Sequence, residues 1–423
     1  MTFDGLPPRV VVGMSGGVDS SVTAYILKWQ GYEVIGLFMK NWEEQDEDGC
    51  CTAEDDFRDV KRVCEKIGIP YYSVNFAKEY RNRVFAEFLN GLKKGWTPNP
   101  DILCNREIKF GPFLEKAKQM GADYVATGHY ANIVHVNAGN ATPGVRHLLC
   151  RADDDTKDQS YFLCGLSQEQ LARVMFPLAH LKKTAVREIA ERIGLINARK
   201  KDSTGICFIG ERKIKQFLAT YLGNQKGEIR TLDGKVIGTH DGLMYYTIGQ
   251  RKGMAIGGRD GKSDTARWFV IRKSLPHNIL YVNNGDCPEL YSKSLVMENF
   301  NEIKGFADRI KCTAKIRYRQ PEAVVPPAVK LSSYRCDAKI RYRQLDQQCV
   351  VTEIGDGKIR VVFDTPQRAV TPGQWCVLYD GDGVLGGGII TGYDNGEIAD
   401  GGEVTEYDKG EVTDGGIITG VGE

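Results

Sequence analysis

Nothing in this 423-residue chain approaches the roughly 18 uninterrupted apolar residues that a membrane-spanning helix needs. The start, Met1 to Arg9, includes Asp4 and has too little apolar or basic character for a signal or transit peptide. Neither membrane insertion nor export is therefore expected, and the expected location is cytoplasmic. Histidine is scarce, six isolated residues in all, and the twelve cysteines include no CxxC pair. Closed zinc sites usually bring their ligands in close pairs, so no structural zinc is expected. A disulfide framework of the secreted kind is absent too, and most thiols, Cys64, Cys150 and Cys164 among them, are expected to be reduced and packed in the core.

The totals for the whole chain carry almost no charge excess, with 56 basic and 55 acidic residues. The balance is uneven along the chain: residues 391–423 hold nine acids against Lys409 alone, which leaves an excess of nine basic charges in residues 1–390. That excess permits a polyanionic partner such as RNA, although charges dispersed over a solvated surface give the same total.

What is present begins with Val10-Val11-Val12-Gly13-Met14-Ser15-Gly16-Gly17-Val18-Asp19-Ser20. An apolar strand empties into a Ser/Gly-rich loop, and Val22, Tyr25, Ile26 and Trp29 then recur at helical spacing. Glycines without Cβ let backbone N–H groups turn toward an oxyanion, and the positive end of the following helix dipole faces the same place. A second apolar run from Glu33 to Met39 completes a βαβ unit, which puts the loop at the carboxyl edge of a parallel sheet. The loop is not a Walker P-loop: no lysine follows its glycines, and Gly261-Lys262-Ser263 lacks the first glycine at the required spacing.

Length favours two or three domains. Strands over Arg9 to Gly13, Glu33 to Met39, Tyr71 to Phe76 and Asp123 to Thr127 alternate with helical spacing over 54–67, 78–93 and Thr184 to Ile193. The expected fold class is α/β, a doubly wound parallel sheet over residues 1–212. Short β segments separated by Asp-Gly, Gly-Gly and Asn-Gly turns follow, read as a small β-rich linker domain over 213–283 and a C-terminal β-barrel over 284–391. The Gly-rich acidic tail, 392–423, offers little core and is expected to be weakly ordered. Cys312 to Gln320 recurs almost unchanged as Cys336 to Gln344, a doubling too short for a solenoid and read as a duplicated strand.

A second constellation, Thr97-Pro98-Asn99-Pro100-Asp101-Ile102-Leu103-Cys104-Asn105, reads as a rigid proline-fixed loop carrying a carboxylate and a thiol three residues apart. Cys207 stands in the apolar, Gly-flanked run Ser203 to Gly210. A lone cysteine is more often a small buried hydrophobe. Beside a nucleotide site, however, a thiolate can attack an activated carbon or carry sulfur as a persulfide.

Taken in order, GMSGGVDS, FMKNW, TPNPDILCN, ATGHYA, KDQSYFL, GICFIG, YTIGQRKG and TPGQW resemble the tRNA-specific 2-thiouridylase family of the PP-loop ATPase superfamily, from about Arg9 to Ile390. The resemblance implies ATP-dependent adenylation of the C2 oxygen of wobble uridine 34 in tRNAs for lysine, glutamate and glutamine. Sulfur then replaces that oxygen. It implies that Gly13, Met14, Ser15, Gly16, Gly17, Val18, Asp19 and Ser20, with Met39 and Gly128, hold ATP, and that magnesium accompanies the pyrophosphate. Asn99, Pro100 and Asp101 would meet the target base, Asp101 also serving as general acid or base. Cys207 would carry the persulfide and Cys104 would be its partner nucleophile, the two forming a transient disulfide. Further tRNA contacts would come from His129, Lys157, Asp158, Gln159, Gln374 and an Arg-Tyr pair. Two copies of that pair exist, Arg317-Tyr318 and Arg341-Tyr342, and the second is preferred because it runs straight into the barrel sequence. The partners implied are the tRNA anticodon stem-loop and a persulfide donor, either a cysteine desulfurase or a relay protein. Three alternatives stay open at this point: a small-molecule amidotransferase or synthetase, a tRNA-binding protein with a decayed ATP site, and an iron–sulfur protein using Cys104 and Cys207 with further ligands.

Overall fold

The computed structural model describes residues 6–42, 52–137, 145–202, 214–254, 256, 267–304 and 333–394. Its first layer is built by β1 (Arg9–Met14), α1 (Val18–Trp29), β2 (Glu33–Lys40), α2 (Thr52–Ile67) and β3 (Tyr71–Asn75). Helical turns over Ala77–Tyr80 (α3) and Ala86–Lys93 (α4) flank a π turn at Arg81–Phe85. Then come α5 (Pro100–Cys104), a second π turn (Asn105–Lys109), α6 (Pro112–Gln119) and β4 (Tyr124–Ala126). A hairpin of β5 (Asn132–Asn137) and β6 (Val145–Cys150) is followed by the short helices α7 (Ser160–Leu163) and α8 (Gln168–Leu171), the two-residue β7 (Val174–Met175) and α9 (Lys183–Arg192).

The order β3-β2-β1-β4-β7 is parallel throughout, with Val10 opposite Val34 on one side and Tyr124 on the other. A central parallel strand is covered on both faces, which is why β1 needs valine at three successive positions. Val11 joins the apolar cluster containing Phe85, Cys104 and Phe113, whereas Val10 and Val12 face the opposite cluster with Val22 and Leu27 of α1. Trp29, the last residue of α1, departs from the expected buried face and is 79% exposed.

The middle of the chain contributes α10 (Ile214–Leu222) and a sheet of β8 (Gly227–Thr231), β9 (Val236–His240), β10 (Trp268–Ser274) and β11 (Ile279–Asn284), in the order β10-β11-β8-β9. The remaining strands are β12 (Tyr291–Glu302), β13 (Tyr334–Lys339), β14 (Gln347–Gly355), β15 (Lys358–Arg368), β16 (Trp375–Asp380) and β17 (Gly383–Tyr393). They run β12-β15-β14-β13-β16-β17, and pairing of β12 with β17 closes them into an antiparallel barrel. The β5–β6 hairpin from the first part of the chain joins this sheet through Gly383 opposite Cys150, so two sequence-distant regions share one sheet. The second copy of the duplicated segment splits between β13 and the turn that follows it, whereas the first copy lies outside the described residues.

Candidate active site

β1 has β2 on one side and β4 on the other, so the loop after β1 opens at the point where strand order reverses, the usual ligand crevice of such sheets. Gly16 has φ +76°, and a Cβ there would lie 2.8 Å from the Asp56 carbonyl oxygen. Glycine is thus needed for both conformation and space. The loop is tied internally: Ser15 N donates to Ser20 Oγ at 3.2 Å, and Ser20 and Ser21 hydroxyls donate to Gly17 O at 3.1 and 2.9 Å. From outside, Asn197 Nδ2 donates to Gly16 O at 3.0 Å and to Ser21 Oγ at 2.9 Å.

Gly128, just past β4, closes the other wall. A Cβ on it would sit 2.7 Å from Ser20 N and 2.8 Å from Asp19 C, with backbone that cannot swing aside. Gly128→Ala is therefore expected to displace the start of α1, destabilise the protein by about 1–3 kcal/mol and weaken nucleotide binding at least about tenfold. Thermal unfolding with and without nucleotide checks this, and an unchanged affinity would show that the wall yields.

Asp19 is the centre of a charge network. Tyr130 Oη donates to its Oδ1 at 2.8 Å, and Lys183 Nζ reaches Oδ1 and Oδ2 at 2.8 and 2.7 Å. The same ammonium lies 2.7 Å from Asp202 Oδ1, while Lys157 meets Asp202 at 2.7 Å and Arg187 at 3.2 Å. Burial resists ionisation of Asp202, but the hydrogen bonds from Lys157 and Lys183 prevail and hold its carboxyl at about 2. Burial, reinforced by Asp19, pushes the Tyr130 phenol up, so it stays a donor. Lys183, Asp202, Tyr130, Arg187 and Asn197 went unrecognised in the sequence as site residues. Val186 and Ala190 on the apolar face of α9 identify the helix, but nothing local marks Lys183 as facing Asp19.

The Asn99–Cys104 constellation is a helix, not the expected loop. Asn99 is its N-cap, accepting from Asp101 N at 3.1 Å, and Pro100 occupies the first turn, where a missing N–H costs nothing. Cys104 ends the helix and is 1% exposed, packed in the cluster that includes Val11 and Phe113. The Phe113 ring lies 3.5 Å from where a Gly13 Cβ would be, so the thiol's cluster underlies the phosphate loop. Burial raises the Asp101 carboxyl above its ordinary range, opposed by Lys109. Beside Cys104, buried Asn105 donates to Phe162 O at 2.9 Å, and its own Oδ1 has no hydrogen-bond partner among the described residues. Cys207 lies outside the described residues, as do Arg317 and Tyr318.

Other expected site residues are placed as follows. Met39 is half-buried against the Cys104 cluster. His129 Nδ1 is 2.7 Å from Thr127 Oγ1 between the Phe110 and Phe176 rings, and burial, helped by Lys109, pulls its imidazole well below its usual range, so any RNA contact it makes is neutral. Asp158 is turned inward, accepting from Ala152 N, Ser160 N and Ser160 Oγ at 3.1, 3.2 and 2.9 Å. Gln159 accepts from Tyr130 N at 3.1 Å, and Lys157 is spent on Asp202. Lys157 and Gln159 thus adjoin the Asp19 network, the first through Asp202 and the second through Tyr130, whose hydroxyl donates to Asp19. Gln374 also points inward, donating to Thr97 O at 2.6 Å. Arg341 is exposed and donates to Arg368 O, and the Tyr342 ring packs tilted against Phe162, centroids 4.5 Å apart. Cys64 and Cys164 are buried as expected; Cys150 is only half-buried.

A parallel sheet with a Ser/Gly loop at its switch point, a buried thiol under that loop and a closed barrel downstream fits a nucleotide-dependent enzyme with an appended β-barrel. Three family models cover the chain: a tRNA methyl transferase HUP domain at residues 8–211, a tRNA methyl transferase PRC-barrel domain at 215–284 and an aminomethyltransferase β-barrel domain at 324–390. The tRNA-specific 2-thiouridylase of Streptococcus mutans is 55% identical over 390 residues, 92% of this chain and 96% of that protein. Those of Halalkalibacterium halodurans and Listeria monocytogenes are each 55% identical over 385 residues, 90% of this chain and 94% of theirs. The chain belongs to the tRNA-specific 2-thiouridylase family.

Proposed function

We propose that this protein is a tRNA-uridine 2-sulfurtransferase, dividing the work among an ATP-binding domain (1–212), a linker domain (213–283) and a tRNA-binding barrel (284–391). The observation that carries the reading is 55% identity over nearly the full length of both proteins, which leaves no catalytic domain unmatched. ATP lies in the Gly13 to Ser20 cradle with Met39 and Gly128 at the nucleoside. Among the described residues no three metal-ligating side chains converge. Magnesium commonly arrives on phosphates and takes only one or two carboxylates from the protein, and Asp19 with the Ser15 and Ser20 hydroxyls offers the hard oxygens that suit it. Bound there, the ion would neutralise charge on the departing pyrophosphate.

The uridine must leave its stack to be reached, which suits a single-stranded anticodon loop. Its C2 oxygen attacks the α-phosphorus and pyrophosphate departs, with Asp101 handling the base proton. The terminal sulfur of a Cys207 persulfide then attacks C2 and AMP leaves with the former oxygen. The Cys104 thiolate attacks the Cys207 sulfur, breaking the S–S bond to free 2-thiouridine and leaving a Cys104–Cys207 disulfide for an external thiol to reduce. Arg341 and Tyr342 are exposed or half-buried on the barrel, as RNA contacts need to be. The protein works in the cytoplasm, receiving sulfur from a desulfurase or relay protein. Consistent with that, no helix among the described residues is long and apolar enough to cross a membrane.

Mass spectrometry of nuclease-digested tRNA after incubation with ATP, magnesium and a persulfide donor tests the reading. The expected product is 2-thiouridine at position 34, with one AMP and one pyrophosphate per modification. ATP cleavage that ignores tRNA would favour a small-molecule synthetase instead.

A further inference from the structure

Residues 95–98 lead directly into the Asn99 cap of α5, and every part of the fold grips them. Within the first domain, Trp96 N donates to Gly91 O at 3.0 Å, and Pro98 packs so closely on Gly91 that a Cβ there would lie 2.4 Å from its Cγ. From the middle sheet, Lys273 Nζ donates to Gly95 O at 2.8 Å, and the Thr97 and Thr247 hydroxyls are 3.2 Å apart. From the barrel, Pro372 O accepts from Thr97 N at 2.9 Å and Gln374 Nε2 donates to Thr97 O at 2.6 Å. Both backbone polar groups of Thr97 are thus satisfied by one barrel turn, 277 residues away in the case of Gln374.

That turn is itself rigid. Gly373 N donates to Ile390 O and Ile390 N to Gln374 O, both at 2.8 Å, fixing it to β17. Gly373 has φ +89°, and a Cβ on it would stand 2.8 Å from Trp96 Cβ and 3.0 Å from Thr97 N and C. The two segments therefore approach as closely as glycine allows.

We propose that Gln374 is a positioning residue, which clamps Thr97 so that the barrel sets the placement of α5 with Asp101 and Cys104. The proposal rests on the sulfurtransferase reading for its catalytic consequence and competes with the expectation that Gln374 binds tRNA. Its amide is directed at Thr97 O, and the hydrogen bond crosses a domain boundary just two residues before the α5 cap. A barrel that carries RNA through this clamp passes its position to the reacting residues without touching the base.

Gln374→Met keeps length and volume but removes the donor. Three quantities are measured on the full chain: hydrogen exchange of the peptide containing Thr97 to Cys104, tRNA Kd by filter binding, and kcat for thiolation. A positioning role predicts faster exchange in that peptide, kcat lower by about 10- to 100-fold, since misplacing reacting groups by an ångström has that scale of effect, and Kd within twofold of wild type. Gly373→Ala, which pushes on the same segment, is expected to share the pattern. Weaker tRNA binding with unaltered exchange overturns the proposal in favour of a direct RNA contact, and unaltered exchange and kcat overturn it outright. Because exchange is read without turnover, a wild-type enzyme that makes no 2-thiouridine sinks the sulfurtransferase reading and leaves the clamp still decided.

Discussion

Replacing either Cys104 or Cys207 by serine is expected to lower 2-thiouridine formation by about three orders of magnitude or more, while tRNA-dependent pyrophosphate release continues. The separation follows from the order of bonds: adenylation needs only the phosphate cradle and the uridine oxygen, whereas sulfur delivery needs a persulfide on one cysteine and a thiolate to resolve it. For Cys104 the competing explanation is packing, since its side chain is 1% exposed among Val11, Leu103 and Phe113. A merely buried thiol would behave like Cys64, which is fully buried in the opposite cluster and whose thiol is pushed up to about 12 by burial and by Glu65. Cys64→Ala should therefore cost stability but leave thiolation per folded molecule intact. Quantifying 2-thiouridine, pyrophosphate and melting temperature together for the three variants distinguishes the cases. Loss of pyrophosphate release in Cys104→Ser, in step with a lowered melting temperature, would reduce Cys104 to a packing residue.

The contrast between what was legible in the sequence and what was not follows from range. The phosphate loop is local: strand, glycines, hydroxyls and helix start lie within about a dozen consecutive residues, so backbone rules alone assign it. The helix 184–193 is likewise visible from Val186 and Ala190 at helical spacing. Lys183 is not, because its partner Asp19 lies 164 residues earlier and a lysine at a helix start reads as a solvated charge. The inward partners of Gln374, Lys157, Asp158 and Gln159 are hidden for the same reason, since only tertiary structure supplies them. Two prolines punctuating Thr97 to Asn105 make the segment that carries Cys104 read as a loop. Proline is tolerated in a first helical turn, however, and Asn99 supplies the cap that lets the helix begin. The β5–β6 hairpin was hidden differently: strand pairing to Gly383 has no local signature at Cys150.

Lys183→Met is expected to cut tRNA-dependent pyrophosphate release by about 10²- to 10³-fold, the usual scale when one charged donor aimed at developing negative charge is removed. Its ammonium is the only group among the described residues seen to bridge Asp19 on the phosphate loop and Asp202. On the proposed reading a triphosphate in the cradle would bring anionic oxygens to this place, and a cation already held there would need little reorganisation to follow them. Removing it also leaves Asp19 and Asp202 without their shared counter-ion, so Asp202 should rise from about 2 toward the ordinary carboxylate range, with Lys157 limiting the shift. A depressed carboxyl contributes stability above its unfolded pKa of about 4 and loses it as pH falls through its folded value. The wild type should therefore lose this contribution between about pH 4 and pH 2, and the variant should show a shallower loss over the same window. Lys183→Arg restores charge with a wider, planar fork, so nucleotide affinity should recover more than kcat does. Single-turnover pyrophosphate release and acid titration of unfolding free energy test the two halves separately. If Lys183→Met retains full pyrophosphate release yet shows the altered acid profile, the lysine only neutralises Asp202, and the charge facing the phosphates must come from elsewhere in the crevice.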